Sequence, residues 1–178
     1  SCEQIVKIFS QKEKRLIATH RPTAIPDEDR AEKLCAAISA GAAFVDIEIE
    51  SSPAFCDKVL ECARRHECRV IVSYHNYDST PSDEELNAIV HECRGRGADV
   101  VKIACAANSN ADAARMLALY KFDGVLILAM GEYGRITRVA APFLGAPFTF
   151  VSLSETKQTA PGQISLDDMR TILDRMRK

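Results

Sequence analysis

Short apolar runs alternate with longer segments of helical period along the chain. The runs have the length and the β-branched content of buried strands, and they span residues 15–21, 44–49, 69–74, 100–106, 124–130 and 148–153. Apolar residues at helical spacing fill the stretches between them, such as 28–40, 82–96 and 108–121. A strand followed by a helix, repeated six times, predicts parallel βαβ units.

Local signals agree with these limits and mark no second domain. Pro26 or Asp27 precedes the segment 28–40, and Ser82 with Glu85 three residues later has the pattern of a capping box. No Gly/Ser-rich linker or low-complexity tract interrupts the chain. We therefore expect a single domain over residues 1–178.

Polar residues recur in the predicted strands at a constant interval. Arg21, Glu48, His75 and Lys102 follow one another at a spacing of 27 residues, and we expect each at or near the carboxyl end of its strand. An open doubly wound sheet has both faces covered by helices, which requires nearly continuous apolar strands. Polar groups that converge from several strands are typical of the carboxyl-terminal mouth of a barrel. This pattern favours a (β/α) barrel over an open sheet.

Lys102 allows two interpretations when the spacing alone is considered. It is either a structural lysine whose ammonium pairs with Glu48 or Asp46, or a reactive lysine. In the second case burial and neighbouring cations such as Arg21 or Arg138 would free the amine to attack a carbonyl group. The two interpretations stay open at this point.

Composition narrows the classes of partner. The chain has 23 basic and 25 acidic residues and a net charge of −2, so it lacks the cationic field typical of nucleic-acid or membrane binding. No apolar run approaches the roughly 20 residues that span a bilayer. We expect a small-molecule partner, a cytoplasmic location and reduced thiols for the seven cysteines.

Metal and cofactor motifs are not found in the sequence. Cys56, Cys62 and Cys68 lie six residues apart with His66 among them, but zinc ligands usually come as closely paired cysteines. No glycine-rich nucleotide-binding loop follows a predicted strand. We expect neither a metal nor an organic cofactor.

Four motifs in order resemble one enzyme family. They are SYHNYDSTPS at 73–82, ADVVKIA at 98–104, MGEYGRITR at 130–138 and APGQIS at 160–165. The chain resembles type I 3-dehydroquinate dehydratase from about Leu16 to its end. The resemblance implies an eight-stranded (β/α) barrel of the TIM-barrel family, without cofactor and commonly a homodimer, that converts 3-dehydroquinate to 3-dehydroshikimate in the shikimate pathway of aromatic amino acid biosynthesis.

The resemblance also assigns roles to residues. Lys102 matches the lysine that forms a Schiff base with the substrate ketone, and His75 matches the histidine that transfers protons. The carboxylate of Asp46 would fix the tautomer of that histidine without itself binding the substrate. The residues implied to bind or border the substrate are Arg21, Glu48, Met130, Arg138, Thr159 and Gln163, with Arg138 holding the substrate carboxylate.

One departure from the family leaves alternatives open. About six βα units are visible, and members of the family have two more before residue 15, so we expect the barrel to be incomplete at its N-terminus relative to the family. The rival functions are another Schiff-base barrel enzyme, such as a class I aldolase, and an inactive barrel that binds a ligand.

Overall fold

The computed structural model describes residues 1–11, 13–22 and 24–177 of the chain. The elements in chain order are α1 (Cys2–Phe9), β1 (Ile17–Thr19), α2 (Asp27–Ser39), β2 (Phe44–Glu48), α3 (Pro53–Arg65), β3 (Arg69–Asn76), α4 (Asp83–Gly95), β4 (Val100–Ala106), α5 (Asn110–Ala118), β5 (Val125–Met130), α6 (Arg135–Ala140) and α7 (Leu166–Met176). Short 3₁₀ turns follow at Leu119–Lys121, Ala141–Phe143 and Glu155–Lys157.

The strands form one five-stranded sheet in the order β1-β2-β3-β4-β5. β1 pairs with β2 in parallel, and β2 pairs with β3 in parallel. In doubly wound sheets the strand order reverses at a switch point, whereas a barrel sheet keeps the order of the chain. The sequential order therefore agrees with the predicted barrel class.

The register between strands corrects the expectation of equivalent positions every 27 residues. Thr19 pairs with Asp46, an offset of 27, but Glu48 pairs with Ser73, an offset of 25. His75 therefore lies two residues beyond the partner of Glu48. Because strand side chains alternate with a period of two, this shift moves His75 along the strand and keeps it on the same face. Such a stagger between neighbours accompanies the strand tilt of a barrel.

The chain divides into two compact units. The first contains residues 1–73 and 92–101, and the second contains residues 74–91 and the chain from Lys102 onward. In the first unit α2 packs against α3, and the core includes Ile38, Val45 and Val59. In the second unit α5 and α6 pack against β5, and the core includes Leu126 and Ile127.

Five of the six predicted strands are present in the structure, and the prediction of the sixth is wrong. Residues 148–153 form no named strand, and Ser152 makes only an isolated parallel bridge to Ser165. The backbone of Ser152 bonds to Ile164 and Leu166 on either side of that bridge. The segment is therefore paired locally over a single residue, and a ladder of several residues is needed for a strand.

Helix limits follow the predicted signals closely. The Ser82 backbone N–H donates to Glu85 at 2.8 Å and the Glu85 N–H donates to Ser82 Oγ at 3.2 Å, so the predicted capping box at the start of α4 is confirmed. Pro26 is the N-cap of α2.

All seven cysteines are free thiols. Among the helices in the described ranges, none combines the length and apolar character needed to cross a membrane.

Candidate active site

In the first unit, Arg21 and Glu48 form an ion pair. Arg21 Nη1 donates to Glu48 Oε1 at 2.8 Å, with Arg21 two residues beyond β1 and Glu48 at the last position of β2. The Glu48 side chain is only 16% exposed. Burial raises the pKa of Glu48, and the positive charge of Arg21 acts in the opposite direction. The pair presents a charged donor and a charged acceptor at the ends of adjacent strands.

Asp46 lies two residues before Glu48 on the same face of β2. It is buried, with 5% of its surface exposed. Its negative charge is one of the causes that raise the pKa of Glu48. The predicted role of Asp46 in orienting His75 stays a prediction.

A buried arginine in α2 organises the segment that carries Arg21. Arg30 is 3% exposed and donates to the backbone carbonyl of His20 at 2.9 Å and to Asp27 Oδ1 at 2.6 Å. Asp27 also accepts from Ser52 Oγ at 2.8 Å, which lowers the pKa of Asp27. The sequence analysis missed Arg30, because a basic residue in the first turn of a helix ordinarily indicates a solvated face.

The contact with Phe55 completes this arrangement. The guanidinium carbon of Arg30 lies 4.4 Å from the centroid of the Phe55 ring, so the ring face covers the cation. Arg30 therefore joins the end of β1 to the beginning of α3.

Lys102 occupies the interior of β4 in the second unit. It is the third residue of that strand and is 6% exposed. Its Nζ lies 5.4 Å from the centroid of the Phe150 ring. The expectation that Lys102 stands at the carboxyl end of its strand is wrong, because four further strand residues follow it up to Ala106. The side chain of Lys102 therefore starts from the interior of the strand, and its amine lies beside the Phe150 ring.

His75 is the penultimate residue of β3, which runs to Asn76, two residues beyond the predicted end of the strand at Tyr74. His75 therefore lies near the carboxyl end of its strand, as expected. Its ring is half-buried and stacks on Tyr77, with ring centroids 6.1 Å apart and an interplanar angle of 11°. The neighbouring loop is held by Asn76, whose Oδ1 accepts from the backbone N–H groups of Asp78 and Ser79 at 3.0 Å. The imidazole thus projects from a strand that is fixed at its end.

Arg138 is buried in α6, and among the residues that the structure describes no carboxylate forms an ion pair with it. It is 1% exposed, and in the part of the chain that the structure describes its Nε has no hydrogen-bond partner. Burial lowers the pKa of Arg138. A buried guanidinium without a counter-ion is costly, and an anionic ligand would relieve that cost.

The residue before Arg138 fixes α6 to the end of β5. Thr137 Oγ1 accepts from the backbone N–H of Ala129 at 3.0 Å and donates to the carbonyl of Gly134 at 2.7 Å. Gly134 approaches Ala129 so closely that a Cβ at residue 134 would lie 2.4 Å from the backbone of Ala129. Met130, predicted to border the substrate, ends β5 and is 6% exposed.

Thr159 and Gln163 are joined within one loop. The backbone N–H and Oγ1 of Thr159 donate to Gln163 Oε1 at 2.8 and 3.2 Å. Gln158 Nε2 donates to the backbone carbonyl of Gln163 at 2.9 Å. The oxygen of the Gln163 amide is thus engaged inside the loop, which orients the NH₂ group away from it.

This loop borders a cleft in the second unit. The cleft has a volume of about 530 Å³ and is lined by residues that include Gly131, Arg135, Gly162, Gln163 and Asp168. Gly162 has φ +76°, and a Cβ there would lie 2.6 Å from the carbonyl oxygen of Gly131. The loop and the end of β5 are therefore in tight backbone contact at one edge of the cleft.

The site residues expected from the sequence thus fall into two groups. Within its unit, each of two pairs of site residues is in direct contact: Arg21 with Glu48, and Thr159 with Gln163. Lys102, His75 and Arg138 have other neighbours, described above. Across residues 1–11, 13–22 and 24–177, no group of three His, Cys, Asp or Glu residues is arranged to hold a metal ion.

Comparison with known proteins points to one enzyme family. A family model described as Type I 3-dehydroquinase matches residues 2–178. The 3-dehydroquinate dehydratase of Pyrococcus abyssi is 37% identical over 150 residues, which cover 84% of this chain and 67% of that protein. The chain thus spans about two thirds of the length of this relative.

Solved structures show the same fold. The type I 3-dehydroquinate dehydratase of Clostridium difficile, with covalent modified comenic acid, superposes with a TM-score of 0.87 at 22% identity, over 99% of this chain and 76% of that one. The 3-dehydroquinate dehydratase of Geobacillus kaustophilus has a TM-score of 0.85 at 26% identity, over 99% of this chain and 75% of that one. The predicted membership of the (β/α)₈ TIM-barrel class is confirmed.

Proposed function

The chain belongs to the type I 3-dehydroquinase family, and from this premise we propose that it is a lyase that dehydrates 3-dehydroquinate to 3-dehydroshikimate, a step of the shikimate pathway toward aromatic amino acids. The observation that carries the proposal is Lys102, a lysine almost fully buried within a strand whose Nζ faces an aromatic ring. A class I aldolase would share such a lysine, but the family match favours dehydration. An inactive ligand-binding barrel would not need a buried amine.

Lys102 acts as the nucleophile. Its neutral amine attacks the substrate ketone, a carbon–nitrogen double bond forms, and the carbonyl oxygen leaves as water. The protonated imine draws electrons from the adjacent carbon, so the proton on that carbon becomes acidic. The rigid backbone of β4 limits the positions that Nζ can take to those allowed by its side-chain torsions.

His75 transfers the protons. A neutral imidazole takes the proton from the carbon next to the imine, which leaves an enamine. The imidazolium then protonates the leaving hydroxyl group, which departs as water while the ring double bond forms. Hydrolysis of the product imine restores Lys102. Asp46 is proposed to keep the imidazole in the tautomer that accepts the first proton.

Arg138 is the proposed site of the substrate carboxylate. It is a buried guanidinium, and its Nε has no partner in the described ranges. A guanidinium binds a carboxylate through two parallel hydrogen bonds, which fixes both position and orientation. The cost of burying the guanidinium would thereby be offset by the bound carboxylate.

The remaining residues are proposed to hold the hydroxyl groups and to cover the ring. Arg21 and Glu48 offer a donor and an acceptor, and the NH₂ group of Gln163 is oriented by Thr159. Met130 would provide an apolar contact next to the reacting carbons. Arg30 is proposed as a positioning residue, because it holds the carbonyl of His20 next to Arg21.

Reductive trapping tests the proposal. The full chain is incubated with 3-dehydroquinate and sodium borohydride, which reduces the imine to a stable secondary amine. Trypsin cannot cleave after an alkylated lysine, so the adduct should appear in the peptide 97–115 instead of 97–102. Peptides that contain exposed lysines serve as internal controls. Lys102→Met, which keeps the unbranched chain but lacks the amine, should give no adduct.

Kinetics of a second variant separate the two chemical roles. His75→Ala should lose about 10²–10⁴-fold in turnover while still forming the trapped adduct, because the Lys102 amine can condense with the ketone with water in place of the imidazole as proton donor. An adduct on other lysines only, or unchanged turnover in His75→Ala, would contradict the mechanism.

Assembly and location are proposed from the family and from the cysteines. We propose a homodimer, from the resemblance to the family, and a cytoplasmic location, from the free thiols of all seven cysteines. Light scattering of the purified chain measures the first, and fractionation of the source cells measures the second.

A further inference from the structure

Helices α2 and α3 lie side by side in a register where residues 27 apart face each other. Ser39 Oγ lies 3.2 Å from His66 Nε2, and the thiol of Cys62 donates to the backbone carbonyl of Cys35 at 3.7 Å. Cys35 and Cys62 precede Ser39 and His66 by four residues, one turn of each helix. The two pairs therefore belong to the same helix–helix seam.

The two thiols reach toward each other across this seam. Cys62 Sγ contacts the carbonyl of Cys35, and Cys35 Sγ contacts the carbonyl of Lys58 at 4.0 Å. Lys58 lies one turn before Cys62 on α3, so each sulfur points at the backbone of the opposite helix next to the other cysteine. The two thiols are also hydrogen-bond partners of each other, so the sulfurs are neighbours, as a disulfide requires.

The pair is more accessible than every other cysteine except Cys2, which is exposed to the same degree. Cys35 and Cys62 are half-exposed, whereas Cys56, Cys93 and Cys105 are buried. Burial, followed by the hydrogen bond and charge of Cys62, raises the pKa of Cys35 to about 12. Cys35 therefore keeps its proton at neutral pH and stands next to a second sulfur that solvent can reach.

We propose that Cys35 and Cys62 are a reversible oxidation site, at which hydrogen peroxide joins α2 to α3 through an intramolecular disulfide. In the first step the sulfur of Cys62 attacks the peroxide, the O–O bond breaks, and Cys62 becomes a sulfenic acid while one water is released. Cys35 then attacks that sulfur, the S–S bond forms, and hydroxide leaves with the proton of Cys35 as a second water. Two thiols lose two electrons, and the peroxide gains them.

The disulfide would close a long segment of chain. The two cysteines are 27 residues apart, and the enclosed segment includes all of β2. Crosslinks of this length stabilise the folded state by restricting the unfolded chain, which should raise the midpoint of thermal unfolding by roughly 5–10 °C. A thiol reductant should reverse the change.

Peptide mapping identifies the linkage. The full chain is treated with about one equivalent of hydrogen peroxide, free thiols are blocked with an alkylating reagent, and the product is digested. Trypsin gives the peptides 34–58 and 59–64, and the first of them contains both Cys35 and Cys56. A second digestion with a glutamate-specific protease, after Glu48 or Glu50, separates these two cysteines. The expected result is a dithiothreitol-sensitive link between Cys35 and Cys62.

Serine variants provide the matched controls. Cys35→Ser and Cys62→Ser should each abolish both the link and the thermal shift, while keeping the unfolding midpoint of the reduced chain. Cys68→Ser should retain both, although the pKa of Cys68, raised to about 11 chiefly by burial, also responds to Cys62. A link from Cys62 to Cys68 or Cys56 would overturn the proposal. Equal oxidation of the half-exposed and the buried thiols would also overturn it, and so would a chain in which Cys35 and Cys62 both remain thiols after treatment.

Discussion

The carboxylate of Glu48 accepts a hydrogen bond from Arg21 at 2.8 Å, yet its pKa is raised because burial outweighs the favourable charge of the arginine. A carboxyl group with a raised pKa in the folded state keeps its proton at pH values where the unfolded chain has released it. Between the pKa of Glu48 in the unfolded chain and its higher pKa in the folded chain, the folded state binds more protons than the unfolded state. The stability of the fold therefore falls as the pH rises through this range.

We therefore expect Glu48→Gln to change the pH dependence of stability. Above the ordinary pKa of glutamate, the free energy of unfolding of the wild-type chain should fall with rising pH more steeply than that of the variant. Urea unfolding of both chains, measured between about pH 4 and 7, gives the comparison. Parallel profiles would show that the carboxylate is well solvated or fully compensated in the folded state.

Arg138→Met should stabilise the chain and inactivate it. Removing a buried cation whose Nε lacks a described partner should raise the free energy of unfolding by about 1–3 kcal/mol. Loss of two charge-assisted hydrogen bonds to the substrate should lower kcat/KM by roughly 10²-fold or more. Arg135→Met, an exposed neighbour on α6, is the control and should leave stability nearly unchanged. A destabilised Arg138→Met chain would mean that the guanidinium is internally satisfied.

Gly162→Ala should disturb the loop that carries Gln163. Both the positive φ and the 2.6 Å approach to Gly131 oppose a Cβ at this position. Gly145→Ala is a matched control, because Gly145 has φ +90° and a Cβ added there would meet open space. The control should lose about 1 kcal/mol from backbone strain alone, and Gly162→Ala should lose more and show a raised KM. Thermal unfolding and steady-state kinetics of the two variants measure this, and equal effects would argue against the tight contact.

Arg30→Lys should weaken substrate binding without affecting the chemical step. A lysine cannot hold the His20 carbonyl and Asp27 with the planar geometry of a guanidinium, so Arg21 becomes less well positioned. We expect KM to rise several-fold, on the order of 1 kcal/mol of lost binding, with kcat nearly unchanged. Ser52→Ala removes only the second hydrogen bond of Asp27 and should have a smaller effect in the same direction. A fall in kcat with an unchanged KM would contradict a positioning role.

The order and limits of the elements were largely predictable because each signal is local. The capping box at Ser82 and the apolar run of β4 depend only on neighbouring residues, and both agree with the structure. The run at 148–153 has the same local character, but a strand also needs a neighbour, which a single-residue bridge at Ser152 does not provide. The single-domain organisation stays a prediction.

The site was predictable where a residue type has a special chemistry, and less so where packing decides. The 27-residue spacing predicted that Arg21 and Glu48 lie near the ends of neighbouring strands, and their side chains are in contact. The two-residue change of register at Glu48 and Ser73 could not be inferred, because it arises from the tilt of strands in three dimensions. Arg30 was missed because its burial depends on Phe55 and on the His20 carbonyl, which belong to other elements.

The position of Lys102 inside β4 has a consequence for how this protein could change over evolution or in the laboratory. The proposed nucleophile is anchored in the sheet, while Arg138 and Gln163 belong to a short helix and a loop that follow β5. Loops tolerate replacement far better than sheet interiors. The loop segment 154–160 could therefore be exchanged for others, retargeting the amine to a different carbonyl compound. Segment 131–138 would have to be kept, because Gly134 and Thr137 pack it against β5.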